Sequence, residues 1–242
     1  MHTLLKKEFC NFFASPTGYI VIGVFLVITG LFLWVFPGEY NVLDAGYSNI
    51  DGLFYFAPWL YLFLVPAVTM RLIAEERKTG TIELLLTHPI TKLDIALSKY
   101  FAGVLLVLSS IVPTLIYFFS VWLLGDPMGN IDTGGTWGSY IGLFFLAAVY
   151  VAIGLFASSL TDNQIISFII AAVLCFSFFA GFDILSMMAS NGDVEMFISS
   201  LGIQSHYESM SRGVIDSRDV IYFIVVSAMF IFATKEVLSI RK

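Results

Sequence analysis

The residues with the most chemical potential lie together in one short stretch, residues 71–91, which is written RLIAEERKTGTIELLLTHPIT. This stretch carries six formal charges and one histidine, whereas the eighteen residues before it, 53–70, carry no charge. A charged side chain at the centre of a membrane-spanning helix costs about 2.5–3.5 kcal/mol, and a leucine offsets only about 0.3–0.6 kcal/mol of that cost. Residues 75–91 are therefore expected to lie in the cytoplasm or to be buried in protein.

No pattern of residues in the sequence predicts catalysis. The histidines His2, His88 and His206 lie in different segments, and neither an HExxH nor a GxSxG motif occurs. The sequence also lacks a GxxxxGKS/T phosphate-binding loop, so the chain is not expected to hydrolyse ATP by that route. Cys10 and Cys175 form no CxxC pair, so the sequence indicates neither a disulfide framework nor a metal site. The chain is predicted to be no enzyme and to bind no cofactor or metal itself.

The chemistry that residues 71–91 offer is instead docking. A helix that runs on through Lys78 can end at Gly80, and Thr81 can cap a second, short helix. Thr91 with Asp94 forms a capping-box arrangement at the start of the next helix. The apolar residues of the short helix are Ile82, Leu84, Leu85 and Leu86. This leucine-rich turn either rests on the membrane surface or the protein's own inner face, or inserts into a groove on a cytoplasmic partner.

The rest of the chain has the composition of a membrane protein. Of its 242 residues, 58% are hydrophobic and 12% are charged, and the mean hydropathy is +0.89. The net charge of −6 argues against nucleic acid as a partner. Six segments are long and apolar enough to span a bilayer, namely 17–36, 52–73, 97–124, 139–160, 165–187 and 220–238. The predicted fold is an all-α polytopic membrane protein in which residues 1–242 form a single transmembrane domain.

The segments outside these spans have distinct predicted places. Residues 1–15 have apolar residues near a 3.6 period and are predicted to form an amphipathic helix in the inner membrane interface. A simple positively charged topology signal is the alternative for this segment. Residues 74–92 are predicted to be cytoplasmic, and residues 188–219 are predicted to be external.

The orientation follows from the basic residues. With both chain ends in the cytoplasm, the outside receives Arg212 and Arg218 and the cytoplasmic side receives the other ten, a strong positive-inside bias. Those ten are Lys6, Lys7, Arg71, Arg77, Lys78, Lys92, Lys99, Lys235, Arg241 and Lys242. The four tryptophans all fall toward the predicted outer ends of the spans, where indole rings prefer the interface.

Two kinds of residue within the spans are of interest. Asp183 lies in the apolar run FFAGFDILSMM and is a candidate intramembrane polar site, since ionisable residues at membrane depth are usually functional. A cap or turn residue near the outer end of the span is the alternative for Asp183. The prolines Pro58, Pro66 and Pro113 are candidate bend points or locally satisfied kinks.

Residues 74–91, AEERKTGTIELLLTHPIT, resemble the cytoplasmic loop of the ABC-2 type permease family, whose pattern is E-E-R/K-x-x-G-T-I/L-E-x-L-L-T/S-x-P. Three further stretches resemble other parts of this family in the same order. They are KKEFCNFFASPTGYIV near the start, SSLTDNQIISF at 158–168 and SHYESMSRGVIDSRDVIYF at 205–223. Within the family, the chain is most similar to the permease subunit of the gliding-motility-associated ABC transporter of Bacteroidetes.

The resemblance implies a six-span exporter half that dimerises in the bacterial inner membrane, with a helical piece between spans five and six. It implies that a coupling helix and the charged elbow before it contact an ABC ATPase subunit, which would bind ATP and Mg²⁺. This contact would use Glu75, Glu76, Arg77, Lys78, Gly80, Thr81, Ile82, Glu83, Leu84, Leu85, Leu86, Thr87 and His88. A second, shorter cytoplasmic contact would use Thr161, Asp162, Asn163 and Gln164.

The expected function is therefore a permease subunit that couples ATP hydrolysis by a separate subunit to a conformational change across the membrane, in an exporter or a gliding-motility complex. The second permease protomer is either identical or different, and a different one could carry a large external domain. A membrane anchor or mechanotransducing subunit that docks the ATPase without moving a substrate is the alternative. An ion-coupled carrier is disfavoured because spans one and four contain no ionisable relay.

Overall fold

A computed structural model of the chain describes residues 2–87, 90–189 and 191–240, with only the backbone described for residues 84, 86 and 87. Within these ranges the regular structure is helical, and no strand occurs in them. The helices are α1 (His2–Ala14), α2 (Pro16–Trp34), α3 (Asp51–Thr69), α4 (Ala74–Lys78), α5 (Thr81–Thr87), α6 (Lys92–Ile111), α7 (Leu115–Leu124), α8 (Thr133–Leu160), α9 (Gln164–Phe176), α10 (Phe182–Ser186), α11 (Gly192–Ser199), α12 (Ile203–Ser211) and α13 (Ser217–Ile240).

Six helical stretches in the described residues are long and apolar enough to cross a membrane. They are Pro16–Trp34, Asp51–Lys78, Lys92–Leu124, Thr133–Leu160, Gln164–Ser186 and Ser217–Ile240. The prediction of an all-α fold with six transmembrane helices is confirmed. Six crossings would place α1 and the end of α13 on the same side of the membrane, in keeping with the predicted topology. The sides assigned to residues 74–92 and 188–219 stay predictions.

The N-terminal helix α1 packs against α2 and α6. Leu4, Glu8 and Phe12 are its buried residues, and they recur every four positions along one face. The chain then bends at Ser15, whose hydroxyl bonds to the Phe12 carbonyl, and α2 begins at Pro16. Proline suits a first helical position because the backbone N–H that it lacks has no partner there. The place of α1 in the membrane interface stays a prediction.

Helix α8 forms the centre of the bundle and contacts α3, α6, α9, α12 and α13. Over the 18 most apolar consecutive residues of α8, 78% of the residues are buried. Glycines on α8 allow its neighbours to approach closely, as small residues do in membrane helix packing. A Cβ at Gly138 would overlap the Met210 carbonyl oxygen of α12, and one at Gly154 would overlap the Thr69 hydroxyl of α3.

The second span is not one continuous helix, and the prediction that it runs on through Lys78 was wrong. Helix α3 ends at Thr69, residues 70–73 form a turn, and α4 begins at Ala74. The physical reason is a side chain from α8, because the Ser158 hydroxyl lies between the backbone groups of Met70 and Ala74 that would otherwise bond to each other.

The prolines differ in their effect on the helices. Pro58 and Pro66 lie inside α3, which stays helical through both of them. Pro113 lies in a short 3₁₀ turn, Val112–Thr114, which separates α6 from α7. A π-helical turn, Ser177–Gly181, similarly separates α9 from α10 in the fifth span. Helix type therefore changes within both of these spans without ending the crossing.

The carbonyl that Pro58 leaves without a helical partner is bonded by another element. In a regular helix the Phe54 carbonyl would accept from the N–H of residue 58, but proline has no N–H. The Tyr207 hydroxyl of α12 donates to the Phe54 carbonyl instead, at 2.9 Å. Burial raises the pKa of Tyr207, so its hydroxyl keeps the proton that it donates. Helix α12 thus supplies the hydrogen bond that α3 lacks at Pro58.

Two further contacts attach this region to the last span. The His206 ring lies 2.7 Å from Asp219 through Nδ1 and 2.9 Å from the Ser200 carbonyl through Nε2. The Tyr222 hydroxyl donates to the Leu201 carbonyl at 2.6 Å. These bonds connect the start of α13 to α12 and to the loop before it, so this part of the segment between spans five and six is packed into the fold. Helix α11, in contrast, has no buried residue.

Candidate functional site

The elbow helix α4 and the short helix α5 are separated by a tight turn at Gly80. Gly80 has a φ of +72°, a left-handed conformation that glycine adopts without steric cost, as the sequence predicted for a helix end. Thr81 is the first residue of α5. The Thr81 hydroxyl donates backward to the Glu76 carbonyl at 3.3 Å, so it bonds to the end of α4. Its predicted role as a cap of α5 stays a prediction.

Helix α5 has one face buried and one face open. Ile82 is buried, Leu85 is half-buried and Glu83 is exposed. His88 lies outside the described residues, and only the backbone is described for Leu84, Leu86 and Thr87. The predicted cap of the next helix is confirmed, because the Thr91 hydroxyl accepts from the Asp94 N–H at 3.1 Å.

A groove of about 680 Å³ lies between α1 and the α4–α5 segment. Its lining has charges of both signs, including Lys7, Arg71 and Glu75, and Leu85 forms part of its wall. Arg71 lies 3.6 Å from Glu75, one turn further along the chain. The groove therefore offers apolar surface beside charged groups that can fix the orientation of a partner.

The elbow is fixed to the bundle by a buried lysine that the sequence analysis counted only as a topology signal. The Lys99 side chain on α6 is fully buried, with Nζ 3.1 Å from Glu8 Oε1 and 2.7 Å from Glu76 Oε1. Glu8 belongs to α1 and Glu76 to α4. One ammonium group thus joins three helices, and hydrogen-bonded buried ion pairs of this kind have a strict geometry.

One feature of the sequence indicates that Lys99 has a buried partner. Lys99 lies seven residues into an apolar helix, and an ionisable residue at that depth is expected to have a partner. Neither Glu8 nor Glu76 could be assigned as that partner, because 91 residues separate Glu8 from Lys99 in the chain.

The second predicted contact lies beside the elbow. Arg77 Nη1 is 4.0 Å from Asp162 Oδ1, and Lys78 lines a shallow pocket together with Asp162, Asn163 and Gln164. Asn163 also caps α9, because its side chain accepts from the Ile165 N–H at 2.9 Å. The structure therefore brings Lys78 and residues 162–164 together on one surface, whereas the Arg77 side chain is largely buried and the Glu76 side chain is directed to Lys99. Whether this surface contacts an ATPase stays a prediction.

Asp183 lies apart from this surface, in the first turn of α10. Its side chain is partly buried, and Oδ1 accepts from the Ser199 hydroxyl of α11 at 3.2 Å. This bond ties α10 to α11, which is consistent with the turn role that the sequence analysis left open. Its use as an intramembrane polar site stays a prediction.

Metal ligands do not converge anywhere in the described ranges, where no group of three His, Cys, Asp or Glu side chains could hold a metal ion. Cys10 is exposed and Cys175 is buried, and both thiols are free. The chemistry of the site is therefore that of ion pairs, hydrogen bonds and apolar contact.

The chain is similar to a known family over most of its length. Residues 48–235 match a family model described as ABC-2 family transporter protein. The match covers most of the chain, including α4, α5 and the loop between α8 and α9, and it leaves α1 and α2 outside. A search of curated proteins found no match.

Proposed function

The chain belongs to the ABC-2 transporter family and is a multi-pass membrane permease subunit that partners an ABC ATPase, and we propose that it converts ATP hydrolysis by that separate subunit into a conformational change across the membrane. In this proposal the ATPase binds α4, α5 and residues 162–164 on the cytoplasmic side. ATP and Mg²⁺ are bound by the ATPase and not by this chain.

The observation that carries the proposal is the Lys99 cluster. A displacement of α4 would take Glu76 away from the buried Lys99 and leave that ammonium with Glu8 alone. Removing one partner of a buried ion pair costs about 3–5 kcal/mol in comparable cases. Helices α1 and α6 are therefore expected to move together with α4. A push on α4 and α5 by a closing ATPase pair would reach two further helices through one ammonium group.

The surface of the bundle is consistent with a further membrane partner. Over the 18 most apolar consecutive residues of α2, and likewise of the α9–α10 span, only 28% of the residues are buried. The exposed faces of these helices are therefore available for contact with lipid or with a second permease protomer. We propose a dimer of permease protomers, either identical or different, in a bacterial inner membrane. The partner protomer could carry a large external domain, as in a gliding-motility complex, or the pair could form an exporter.

The test uses the complex purified in lipid with its ATPase. Leu85→Asp places a charge in the wall of the groove, and we expect the ATPase rate of the assembled complex to fall about tenfold, which corresponds to about 1.4 kcal/mol. Leu43→Asp is the matched control, because Leu43 is 67% exposed and lies in the loop between α2 and α3, at the opposite end of the bundle. Co-purification of the ATPase with each variant shows whether assembly is intact.

An unchanged ATPase rate in an assembled Leu85→Asp complex would contradict coupling and would favour a membrane anchor. Identification of the chains that co-purify in mild detergent tests the partners separately. A second, different membrane chain in the complex would establish a heterodimer, and its absence would favour a homodimer.

A further inference from the structure

The break between α3 and α4 leaves backbone groups that a continuous helix would have paired. In a continuous helix the N–H groups of Ile73 and Ala74 would bond to the carbonyls of Thr69 and Met70. Here the Thr69 carbonyl accepts from the Leu72 N–H instead, at 3.0 Å. Ile73 and Ala74 are fully buried, so water does not supply the missing bonds.

A single hydroxyl from α8 makes those bonds. Ser158 Oγ accepts from the N–H groups of both Ile73 and Ala74, at 3.0 Å each, and donates to the Met70 carbonyl at 3.0 Å. Ser158 is itself fully buried. The hydroxyl thus occupies the gap in the helical ladder and bonds to backbone on both sides of it, an insertion known to produce kinks in helices.

The same end of α8 holds α4 at a second point. Four residues after Ser158, Asp162 lies 4.0 Å from Arg77, on the other end of α4. One turn before Ser158, the glycine at 154 lets Thr69 pack directly against α8. Helix α4 is therefore held at its first residue by Ser158 of α8 and near its other end by Asp162 of the loop after α8. Its connection to α3, in contrast, runs through a broken hydrogen-bond ladder.

We propose that Ser158 is a positioning residue for energy coupling, which fixes the angle of α4 against α8 so that a movement of α4 and α5 is passed to α8 and not lost at the break. This inference rests on the proposed coupling function. In this proposal α8, the central helix of the bundle, receives the movement directly from α4. This route is independent of the contacts that Lys99 makes with α1 and α4.

The experiment compares Ser158→Ala with Ser159→Ala in the lipid-embedded complex with its ATPase. Both serines are fully buried on α8, but the Ser159 hydroxyl donates only within its own helix, to the Phe156 carbonyl. With Ser158→Ala we expect the amides of Ile73 and Ala74 to exchange hydrogen about tenfold faster. We also expect kcat for ATP to fall several-fold with KM for ATP unchanged, since the nucleotide site lies in the partner. Ser159→Ala should change neither quantity.

Wild-type exchange at Ile73 and Ala74 together with wild-type kcat in the Ser158→Ala complex would overturn the inference. If the alanine variant does not assemble, Ser158→Cys serves in its place, because a thiol has a similar shape but bonds weakly to N–H groups. Fast exchange of the two amides in the unmodified complex would overturn the inference without any variant. If the ATPase has the same rate with and without the unmodified chain, the proposed coupling function is wrong. Hydrogen exchange at Ile73 and Ala74 then still shows whether Ser158 holds α4.

Discussion

At the scale of single residues, the Lys99 cluster shows how a charge can be both buried and satisfied. Lys99 alone would be costly in an apolar bundle, but two carboxylates from other helices lie within hydrogen-bonding distance of its ammonium group. Capping by Thr91 was predictable because its partner, Asp94, lies three residues further along the chain. The Lys99 cluster was not predictable in this way, because its members are brought together only by helix packing.

Lys99→Met should destabilise the protein by about 3–5 kcal/mol, because Glu8 and Glu76 would stay buried without their cation. For a chain of this size the loss corresponds to a fall of roughly 6–20 °C in the unfolding midpoint, measured in detergent. Adding Glu8→Gln and Glu76→Gln to Lys99→Met should recover most of the loss, since neutral groups cost less to bury. Lys235→Met is the control, because Lys235 is 39% exposed in its pair with Glu236. Equal small shifts for Lys99→Met and Lys235→Met would contradict this account.

At the scale of elements, α3 depends on side chains of other helices at two points. Tyr207 bonds to the carbonyl that Pro58 leaves free, and Ser158 bonds to the groups left free at the break before α4. Hydropathy places an apolar helix in this region, and proline at 58 indicates a missing bond. Neither signal identifies the residue that supplies the replacement, because Tyr207 lies 153 residues from Phe54. The break at residues 70–73 contains neither proline nor glycine, so local sequence gave no reason to expect it.

Tyr207→Phe should destabilise the protein by about 1–3 kcal/mol, because the buried Phe54 carbonyl would lose its donor. Pro58→Ala restores an N–H that can bond to the same carbonyl within α3. In the Pro58→Ala background, Tyr207→Phe should therefore cost less, with a coupling of about 1 kcal/mol between the two changes. Unfolding midpoints of the four proteins in this cycle provide the measurement. Additive effects would show that Tyr207 contributes by packing and not through the Phe54 carbonyl.

At the scale of the whole molecule, hydropathy and charge together predict most of the architecture. The six spans were predictable because a bilayer requires long apolar helices, and among the described residues no other helix satisfies that requirement. The order in which the spans pack was not predictable, since α8 has no feature in hydropathy that sets it apart from α6. Its central place depends on glycines that let neighbouring helices approach closely. A glycine in the sequence does not show which helix packs against it.

The predicted orientation can be tested with the chain's own cysteine. Cys10 is exposed on α1 and Cys175 is buried, so a membrane-impermeant maleimide should label Cys10 in inside-out vesicles and not in intact spheroplasts. Leu43→Cys in a Cys10→Ser background should give the opposite result, because Leu43 is exposed in the loop at the other end of α2. Labelling of Cys10 from the outside would reverse the orientation and would remove α4 and α5 from the reach of a cytoplasmic ATPase.

The π-helical turn at Ser177–Gly181 has a consequence for anyone who aligns or redesigns this chain. Such a turn accommodates one more residue than the α-helical turn that it replaces. One residue corresponds to about 100° of rotation around the helix axis. A helical wheel drawn through the fifth span as one α-helix therefore assigns α10 to the wrong side. Faces for α9 and α10 must be drawn separately. A one-residue deletion within the turn would remove the extra residue and keep Asp183 facing Ser199, whereas a one-residue deletion within α9 would rotate α9 relative to α10.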